Sequence, residues 1–255
     1  MLDQINLDEI VGIAKEAGDA IMDIYEKDFS VEYKDDKSPL TEADLKSNEI
    51  ICNALTSLYP DIPILSEENK AAPYTERKSW DFFWLIDPID GTKEFIKKNG
   101  EFTVNIALIH KDTPVLGVVY APVLEDMYSA KKDEGAFKNE ERLPLKTNAE
   151  PEKHLSVVAS KSHLSEETQE FIDELALGTE KLDLVSKGSS LKLCMVAEGT
   201  ADIYPRLAPT MEWDTGAAHA VVLESGKQVV QFENNKPVVY NKENLLNPWF
   251  IVRGK

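Results

Sequence analysis

Two aspartates with two residues between them follow an apolar run in the segment WLIDPIDGTKEF, which spans residues 84–95. Pro88 fixes its own φ and has no N–H group, so the turn between Asp87 and Asp90 is predicted to be stiff, with the Ile89 carbonyl pointing inward beside the acids. Carboxylate and carbonyl oxygens in a rigid frame suit Mg²⁺ or Mn²⁺. The segment therefore predicts a site for a divalent cation.

The next two residues, Gly91 and Thr92, are expected to begin a short helix, whose backbone N–H groups can bind an anion. Metal ligands beside a phosphate site indicate phosphoryl-transfer chemistry. The simpler alternative is an acidic turn between strand and helix, in which Asp90 only caps the helix. Haloacid-dehalogenase-type phosphatases carry a similar Asp-x-Asp-Gly-Thr motif, but the Asp-x-x-Asp spacing and the long region before it argue against that class.

The charge balance of the chain restricts its partners. The 255 residues are 42% hydrophobic and 29% charged, with a formal net charge of −18. Polymeric nucleic acid and anionic lipid are bound by Lys and Arg, so neither is an expected partner, whereas a small anionic substrate is compatible with a local metal cluster. The apolar runs are too short for a membrane span, no signal peptide is visible, and the two isolated cysteines, Cys52 and Cys194, fit a reducing compartment. A cytoplasmic location is therefore expected.

Hydrophobic periodicity divides the chain into two parts. Helical spacing predicts a first helix over residues 7–25, and a second is predicted to open at residues 41–44 and to stop before Pro60. Consecutive strand-like runs then favour an antiparallel sheet: PILSEE, DFFWLID, FTVNIALIH, VLGVVYAP and DMYSAKK. From Pro151 onward, strands (LSVVAS, KLDLVS, ADIYPR) alternate with helices (SEETQEFIDELA, SSLKLCMVAEG, EWDTGAAHAVVLES), which indicates an α/β half. We predict helices plus an antiparallel sheet with the metal site in residues 1–150, and an α/β subdomain with the substrate-specificity residues in residues 151–255.

Further acidic residues lie in separate segments: Asp44 in TEADL, Glu67 and Glu68 in PILSEEN, and Asp214 in EWDTGAAHAVV. Together with WLIDPIDGTKEF, these segments resemble in order the four signature segments of the inositol monophosphatase superfamily. The flanks GTKEFIKKNGEFTVNIALI, GVVYAP, SKSH, GSSLK and YPR resemble its 3′(2′),5′-bisphosphate nucleotidase branch, so that the resemblance spans residues 44–219. One departure is Gly216, where the family usually has a small residue such as Ala, and Gly costs a helix about 1 kcal/mol relative to Ala.

The resemblance implies a fold and a set of metal ligands. The fold is an α/β protein with an α+β N-terminal half and an α/β C-terminal half, layered as an αβαβα sandwich. Two or three Mg²⁺ ions, which Mn²⁺ can replace, are expected on the carboxylates of Glu67, Asp87, Asp90 and Asp214 and on the Ile89 carbonyl.

The resemblance also assigns the remaining roles. Thr92 paired with Asp44 is expected to orient a water and take its proton, and the N–H groups of Gly91 and Thr92 to hold the transferred phosphate. Contacts to a nucleotide are implied for His163, Ser189, Lys192 and Arg206. The alternatives are an ordinary early-helix acid for Asp44, surface charges for Lys192 and Arg206, and a helix-entry residue for His163.

The activity implied is Mg²⁺-dependent hydrolysis of the 3′-phosphate of 3′-phosphoadenosine 5′-phosphate to AMP and phosphate, with a role in sulfate assimilation, sensitivity to Li⁺ and, by the same resemblance, a homodimer. Inositol monophosphatase or fructose-1,6-bisphosphatase activity is the nearest alternative. A non-catalytic metal and nucleotide sensor, or a purely structural acidic protein, represents another class. The aromatic residues 80–84 and Cys194 are expected in the core rather than in the site.

Overall fold

Two β-sheets with a pair of helices between them define the architecture. The computed structural model describes residues 1–27, 30–34, 39–159 and 165–255. After a short 3₁₀ turn at Leu2–Gln4, the helices are α1 (Leu7–Tyr25), α2 (Glu42–Leu58), α3 (Tyr74–Arg77), α4 (Thr92–Ile96), α5 (Glu166–Ala176), α6 (Leu191–Glu198) and α7 (Gly216–Glu224). The strands are β1 (Val31–Tyr33), β2 (Pro39–Thr41), β3 (Ile64–Ser66), β4 (Phe82–Asp90), β5 (Thr103–His110), β6 (Thr113–Ala121), β7 (Asp126–Lys131), β8 (Gly135–Lys138), β9 (Glu141–Arg142), β10 (Leu155–Ala159), β11 (Leu182–Ser186), β12 (Ile203–Arg206), β13 (Gln228–Gln231) and β14 (Phe250–Arg253).

The larger sheet has the strand order β3-β4-β5-β6-β7-β8-β9. Each pair is antiparallel except β3 and β4, which are parallel. The smaller sheet has the order β11-β10-β12-β14-β13, in which β10, β11 and β12 are parallel and β14 is antiparallel to both of its neighbours. The strands β1 and β2 form a separate antiparallel pair. The larger sheet is antiparallel as predicted except for the β3–β4 pair, and from β10 to α7 strands alternate with helices, as predicted for the C-terminal part.

Alternate residues of the central strands face different hydrophobic cores. In β4, Trp84 and Ile86 pack beneath α1 and α2, whereas Phe83 and Leu85 face the layer that contains α6 and α7. In β14, Ile251 packs toward α5, while its two neighbours face that same central layer. A strand covered on both faces needs apolar residues at every position, which explains the uninterrupted run before Asp87. The resulting order of layers, helix–sheet–helix–sheet–helix, confirms the predicted αβαβα sandwich.

Most predicted helices and strands are found within about two residues of their expected ends. Two differ by more, since β4 continues beyond the predicted run to Asp90 and α7 begins only at Gly216, whereas the predicted helical segment begins at Glu212. The aromatic residues Trp80, Phe82, Phe83 and Trp84, together with Cys194, belong to the core or pack against it, as predicted. No pattern in the sequence predicted β8, β9, β13 and β14, which are short. The larger sheet takes its strands from residues 64–142 and the smaller from residues 155–253, and a functional division near Pro151 stays a prediction. Among the described helices, none combines the length and the apolar composition that a membrane span requires.

Helix α7, which follows Asp214, lies directly on the larger sheet because two glycines allow close approach. A Cβ at Gly117 in β6 would overlap the Ala217 carbonyl and lie 2.9 Å from the Cβ of Ala220. A Cβ at Gly216 would lie 2.8 Å from Leu85 Cδ2. The glycine that departs from the family pattern therefore occupies a crowded contact rather than a free helix surface.

We expect Gly117→Ala to destabilise the protein by about 1–3 kcal/mol, because the added methyl group must displace the α7 backbone. Gly12→Ala is the matched control, since Gly12 is an exposed residue of α1 and a Cβ there would have no neighbour within 4 Å. That control is expected to be neutral or stabilising by up to about 1 kcal/mol. Urea unfolding of both variants measures the difference, and equal midpoints would contradict the close packing of α7.

Candidate metal and phosphate site

The two aspartates of the first motif are brought to one side of β4 by a β-bulge. Asp87 pairs with Asn105 and Asp90 pairs with Thr103, so two residues of β4 lie opposite a single residue of β5. Residues three apart in a regular strand point to opposite faces, and the bulge resets this alternation. The predicted turn between the two acids is thus wrong in detail. Strand β4 continues to Asp90, and Pro88 accounts for the bulge because it cannot donate a ladder hydrogen bond.

The carbonyls inside the bulge point in different directions. The Pro88 carbonyl accepts a hydrogen bond of 2.9 Å from Ser47 Oγ on α2. The Ile89 carbonyl lies 3.4 Å from Thr92 Oγ1, and Ile89 lines the same cleft as the two aspartates. The Ile89 carbonyl thus lies beside a residue that also lines the cleft, and its role as a cation ligand stays a prediction.

Three carboxylates from different parts of the chain converge beside the bulge. Glu67 follows β3, Asp87 lies in β4, and Asp214 lies in the turn before α7, with one oxygen of each within 4.8 Å of the others. The sequence predicts that Asp214 opens a helix, whereas α7 begins two residues later, at Gly216. Asp90 lines the same cleft, and one of its oxygens accepts a hydrogen bond from the Ser190 N–H group at the start of α6.

These acids are placed where the charged form is unfavourable without a cation. Burial raises the pKa of Asp87 well above its usual range, and the nearby charges of Glu67, Asp90 and Asp214 raise it further. Burial also raises the pKa of Asp90 to about 6, against the opposing effects of Lys192 and the Ser190 N–H. Loss of water, followed by repulsion from Asp90, raises the pKa of Asp214 to about 8. An all-oxygen set of mutually repelling acids fits a hard divalent cation.

Asp44 and Thr92 are joined by a hydrogen bond at the edge of this cluster. One oxygen of Asp44 accepts from the N–H group of Thr41 at 2.8 Å and from its Oγ1 at 2.6 Å, a capping box that begins α2. The other oxygen accepts from Thr92 Oγ1 at 3.2 Å. Burial raises the pKa of Asp44. The helix-capping role and the predicted partnership with Thr92 thus use different oxygens of one carboxylate.

Ser189, Lys192 and Arg206 line the same cleft, whose volume is about 280 Å³, and together form its basic wall. Lys192 is only 6% exposed, so its interpretation as a surface charge is wrong; its Nζ donates to the Ser189 carbonyl at 2.6 Å. Burial lowers the pKa of Lys192 to about 8, and the charge of Asp90 opposes this shift. Arg206 donates from Nη2 to the Pro209 carbonyl at 3.0 Å. His163 lies outside the described residues.

Two polar atoms of this wall have no hydrogen-bond partner among the described residues. They are Ser189 Oγ and Arg206 Nε, and both atoms are buried. Buried polar groups are normally paired, so unpaired atoms beside a cleft are candidates for contact with a ligand.

Sequence reasoning missed two groups at the site. Lys34 lies 2.8 Å from Glu67 Oε1 and 2.6 Å from Glu68 Oε1, and so places an ammonium group beside a candidate metal ligand. Ser190 Oγ lies 2.9 Å from Asn105 Oδ1 and 2.8 Å from Thr103 Oγ1, which ties the start of α6 to β5. Both depend on pairing between distant segments, for which a single sequence carries no local signal.

The order of the acidic segments, the layered fold and the converging carboxylates agree with one class of protein. A family model described as the inositol monophosphatase family matches residues 3–249. The chain belongs to this family.

Within the family, the chain is similar to proteins named 3′(2′),5′-bisphosphate nucleotidase CysQ. It is 45% identical to the protein from Salmonella typhimurium over 248 residues, which cover 96% of this chain and 98% of the relative. It is also 45% identical to the Escherichia coli K12 protein over 249 residues, which again cover 96% of this chain and 98% of the relative. A crystal structure of CysQ from Bacteroides thetaiotaomicron is 45% identical, with a TM-score of 0.89 over 98% of this chain and 97% of that one. An inositol monophosphatase structure from Thermotoga maritima is 27% identical, with a TM-score of 0.77 over 97% of this chain and 91% of that one.

The raised pKa values predict how divalent cations change stability with pH. Asp87, Asp90 and Asp214 bind protons more tightly in the folded chain than in the unfolded chain, so the stability of the metal-free protein falls as the pH rises from about 4 to about 8. A bound cation relieves the repulsion. The increase in melting temperature produced by Mg²⁺, relative to EDTA, is therefore expected to be larger at about pH 8 than at about pH 5.5.

Asp214→Asn serves as the comparison for this measurement. Removing one negative charge is expected to raise the melting temperature in EDTA at the higher pH and to reduce the effect of Mg²⁺. An effect of Mg²⁺ that is equal at both pH values in the wild type would contradict the assignment of these acids to a cation site.

Proposed function

We propose that this protein is a metal-dependent 3′(2′),5′-bisphosphate nucleotidase, which hydrolyses the 3′-phosphate of 3′-phosphoadenosine 5′-phosphate to AMP and phosphate. The observation that carries the proposal is that one cleft joins a carboxylate cluster to a basic wall with unpaired polar atoms. The cluster suits one phosphate with its metal ions, and the basic wall suits a second phosphate. The names of the relatives that are 45% identical support the same substrate class.

The proposed cation ligands are the carboxylates of Glu67, Asp87, Asp90 and Asp214 with the Ile89 carbonyl, for two or three Mg²⁺ ions, with Mn²⁺ as a substitute. The chemistry supplied by bound Mg²⁺ is stabilisation of negative charge on the attacking, leaving and phosphoryl oxygens. The chain supplies a fixed frame for these ligands. Asp87 and Asp90 are set by the bulge, and Asp214 is set by the turn before α7.

Asp44 and Thr92 are proposed to handle the proton of the attacking water. Thr92 Oγ1 donates to Asp44 Oδ1, so its lone pairs are free to accept a hydrogen bond from the water. As the water oxygen bonds to phosphorus and the P–O3′ bond breaks, the water proton passes to Thr92, whose own proton passes to Asp44. The departing O3′ oxygen takes up a proton from solvent water to give the 3′-hydroxyl of AMP, and Asp44 afterwards returns its proton to solvent. The raised pKa of Asp44 favours this transfer, because a stronger base accepts the proton more readily.

The two phosphates are proposed to lie at opposite sides of the cleft. Gly91 lies before α4 with φ of 94°, a conformation open to glycine, and both Gly91 and Thr92 line the cleft, where their backbone N–H groups would hold the transferred phosphate. Ser189, Lys192 and Arg206 would hold the second phosphate, through hydroxyl, ammonium and guanidinium groups. His163 stays a predicted nucleotide contact. The cytoplasmic location and the homodimer also stay predictions.

Phosphate release in Mg²⁺ from 3′-phosphoadenosine 5′-phosphate, inositol 1-phosphate and fructose 1,6-bisphosphate tests the proposal. We expect kcat/KM for the adenosine bisphosphate to exceed the others by orders of magnitude. A preference for inositol phosphate would keep the metal site and overturn the nucleotide assignment. Tight nucleotide binding without turnover would instead support a sensor.

Ser189→Ala tests the second phosphate site without removing a structural contact, since Ser189 Oγ has no partner among the described residues. Loss of one hydrogen bond to a charged group is expected to lower kcat/KM for the adenosine bisphosphate by about 10–100-fold. Turnover of inositol 1-phosphate, even if slow, should change little.

Lys192→Ala is the less selective comparison, because Lys192 also lies near Asp90. It is expected to lower turnover of both substrates.

If Ser189→Ala leaves turnover of the adenosine bisphosphate unchanged, Ser189 does not contact the substrate.

A further inference from the structure

A fully buried carboxylate lies two residues before Asp214 and does not line the cleft. Glu212 is 0% exposed, and each of its oxygens accepts a backbone hydrogen bond: Oε2 from the Asn241 N–H at 2.7 Å and Oε1 from the Lys242 N–H at 3.0 Å. Lys242 Nζ lies 2.5 Å from the same Oε1. The carboxylate is thus held by a neighbouring segment and not by any residue of the proposed chemistry.

That neighbouring segment is itself fixed by a buried arginine. Arg77 is 3% exposed, and its Nη1 donates to Asn241 Oδ1 at 2.9 Å and to the Lys242 carbonyl at 3.2 Å. Asn241 Nδ2 donates in return to the Arg77 carbonyl at 2.8 Å. The Glu212 carboxylate is therefore hydrogen-bonded to a segment that Arg77 holds in place.

The backbone around Glu212 determines where Asp214 lies. The Glu212 carbonyl accepts hydrogen bonds from the N–H groups of Thr215 at 3.2 Å and Gly216 at 3.0 Å, and these bonds close the turn that contains Asp214. The Met211 N–H on the other side of Glu212 donates to Asp214 Oδ2 at 2.9 Å. A shift of Glu212 would move both ends of the turn.

We propose that Glu212 is a positioning residue for the candidate metal ligand Asp214, acting through the turn that both residues share. The inference rests on the proposed function, since it requires that Asp214 binds a cation. Residues that hold metal ligands in place typically affect metal affinity by about 10–100-fold, although they do not touch the ion. Without the Glu212 carboxylate, two backbone N–H groups lose their acceptor, Lys242 Nζ keeps only the Val239 carbonyl, and the turn loses its attachment to residues 241–242.

The chain offers a closely matched control in Glu198. This glutamate is also buried, at 5% exposure, and it accepts hydrogen bonds from Lys138 Nζ at 3.0 Å, Tyr128 OH at 2.9 Å and Thr200 Oγ1 at 2.5 Å. It lies at the last residue of α6 and does not line the cleft. Glu198→Ala and Glu212→Ala are expected to lower the melting temperature to a similar extent, because each removes the acceptor of two further donors and one of the two partners of a partly exposed lysine.

Calorimetric titration of the metal-free protein with Mg²⁺ alone separates stability from ligand positioning. We expect Glu212→Ala to raise the Mg²⁺ Kd by about 10-fold or more, and Glu198→Ala to change it less than about 2-fold. In an Asp214→Asn background, Glu212→Ala should weaken Mg²⁺ binding no further, because the ligand that Glu212 positions is already lost. If Glu212→Ala does not fold, Lys242→Met removes only the ammonium group and is expected to raise the Kd by about 3-fold, a part of the full effect.

The outcomes distinguish this inference from the function on which it rests. A wild-type protein that binds no Mg²⁺ would overturn both. Mg²⁺ binding that is normal in the wild type and equally tight in the folded Glu212 variant, or in Lys242→Met where that variant does not fold, would overturn only the positioning role. Equal weakening in the Glu198 and Glu212 variants would also overturn it, because the effect would then reflect stability alone.

Discussion

Repulsion among carboxylates is the constraint on which the site depends. Burial and mutual proximity raise the pKa values of Asp87, Asp90 and Asp214, so a chain that holds these groups together without a cation loses stability as they ionise. Such an arrangement persists only if the surrounding fold determines the position of each acid. The layers of helix and sheet provide this rigidity, because β4 is packed on both faces and cannot move away from its neighbours.

The aspartates of the site are held in place by short features of the local backbone. A bulge turns Asp87 and Asp90 to one side of β4, a capping box fixes one oxygen of Asp44, and a short turn fixes Asp214. None of these features depends on a long flexible side chain that reaches across the cleft. The short side chain of aspartate transmits the backbone position directly to the oxygen atoms, which explains why small backbone features such as the Pro88 bulge matter to the site.

The parts that sequence reasoning could predict are those encoded within a few consecutive residues. Asp87, Ile89 and Asp90 share one motif, and hydrophobic periodicity gave the helices and most strands. Lys34, Ser190 and Glu212 were not predicted, because their partners lie at Glu67, Asp90 and residues 241–242, far away in the chain. Helical periodicity also placed Asp214 at the opening of a helix, whereas hydrogen bonds to the Glu212 carbonyl delay α7 until Gly216.

The start of α6 connects the carboxylate cluster of the cleft to its basic wall. Ser190 donates its N–H to Asp90, while Lys192, two residues later, lies near the same carboxylate and lowers its pKa. A second phosphate beside Lys192 would therefore alter the electrostatic environment of a candidate metal ligand. If Lys192 and Arg206 hold a second phosphate as proposed, substrate selection and cation binding are physically coupled, and a substitution in the basic wall would also alter cation binding. The net charge of −18 would then have little bearing on substrate binding, because the positive field that an anionic substrate encounters would be created locally by Lys192, Arg206 and the proposed cations.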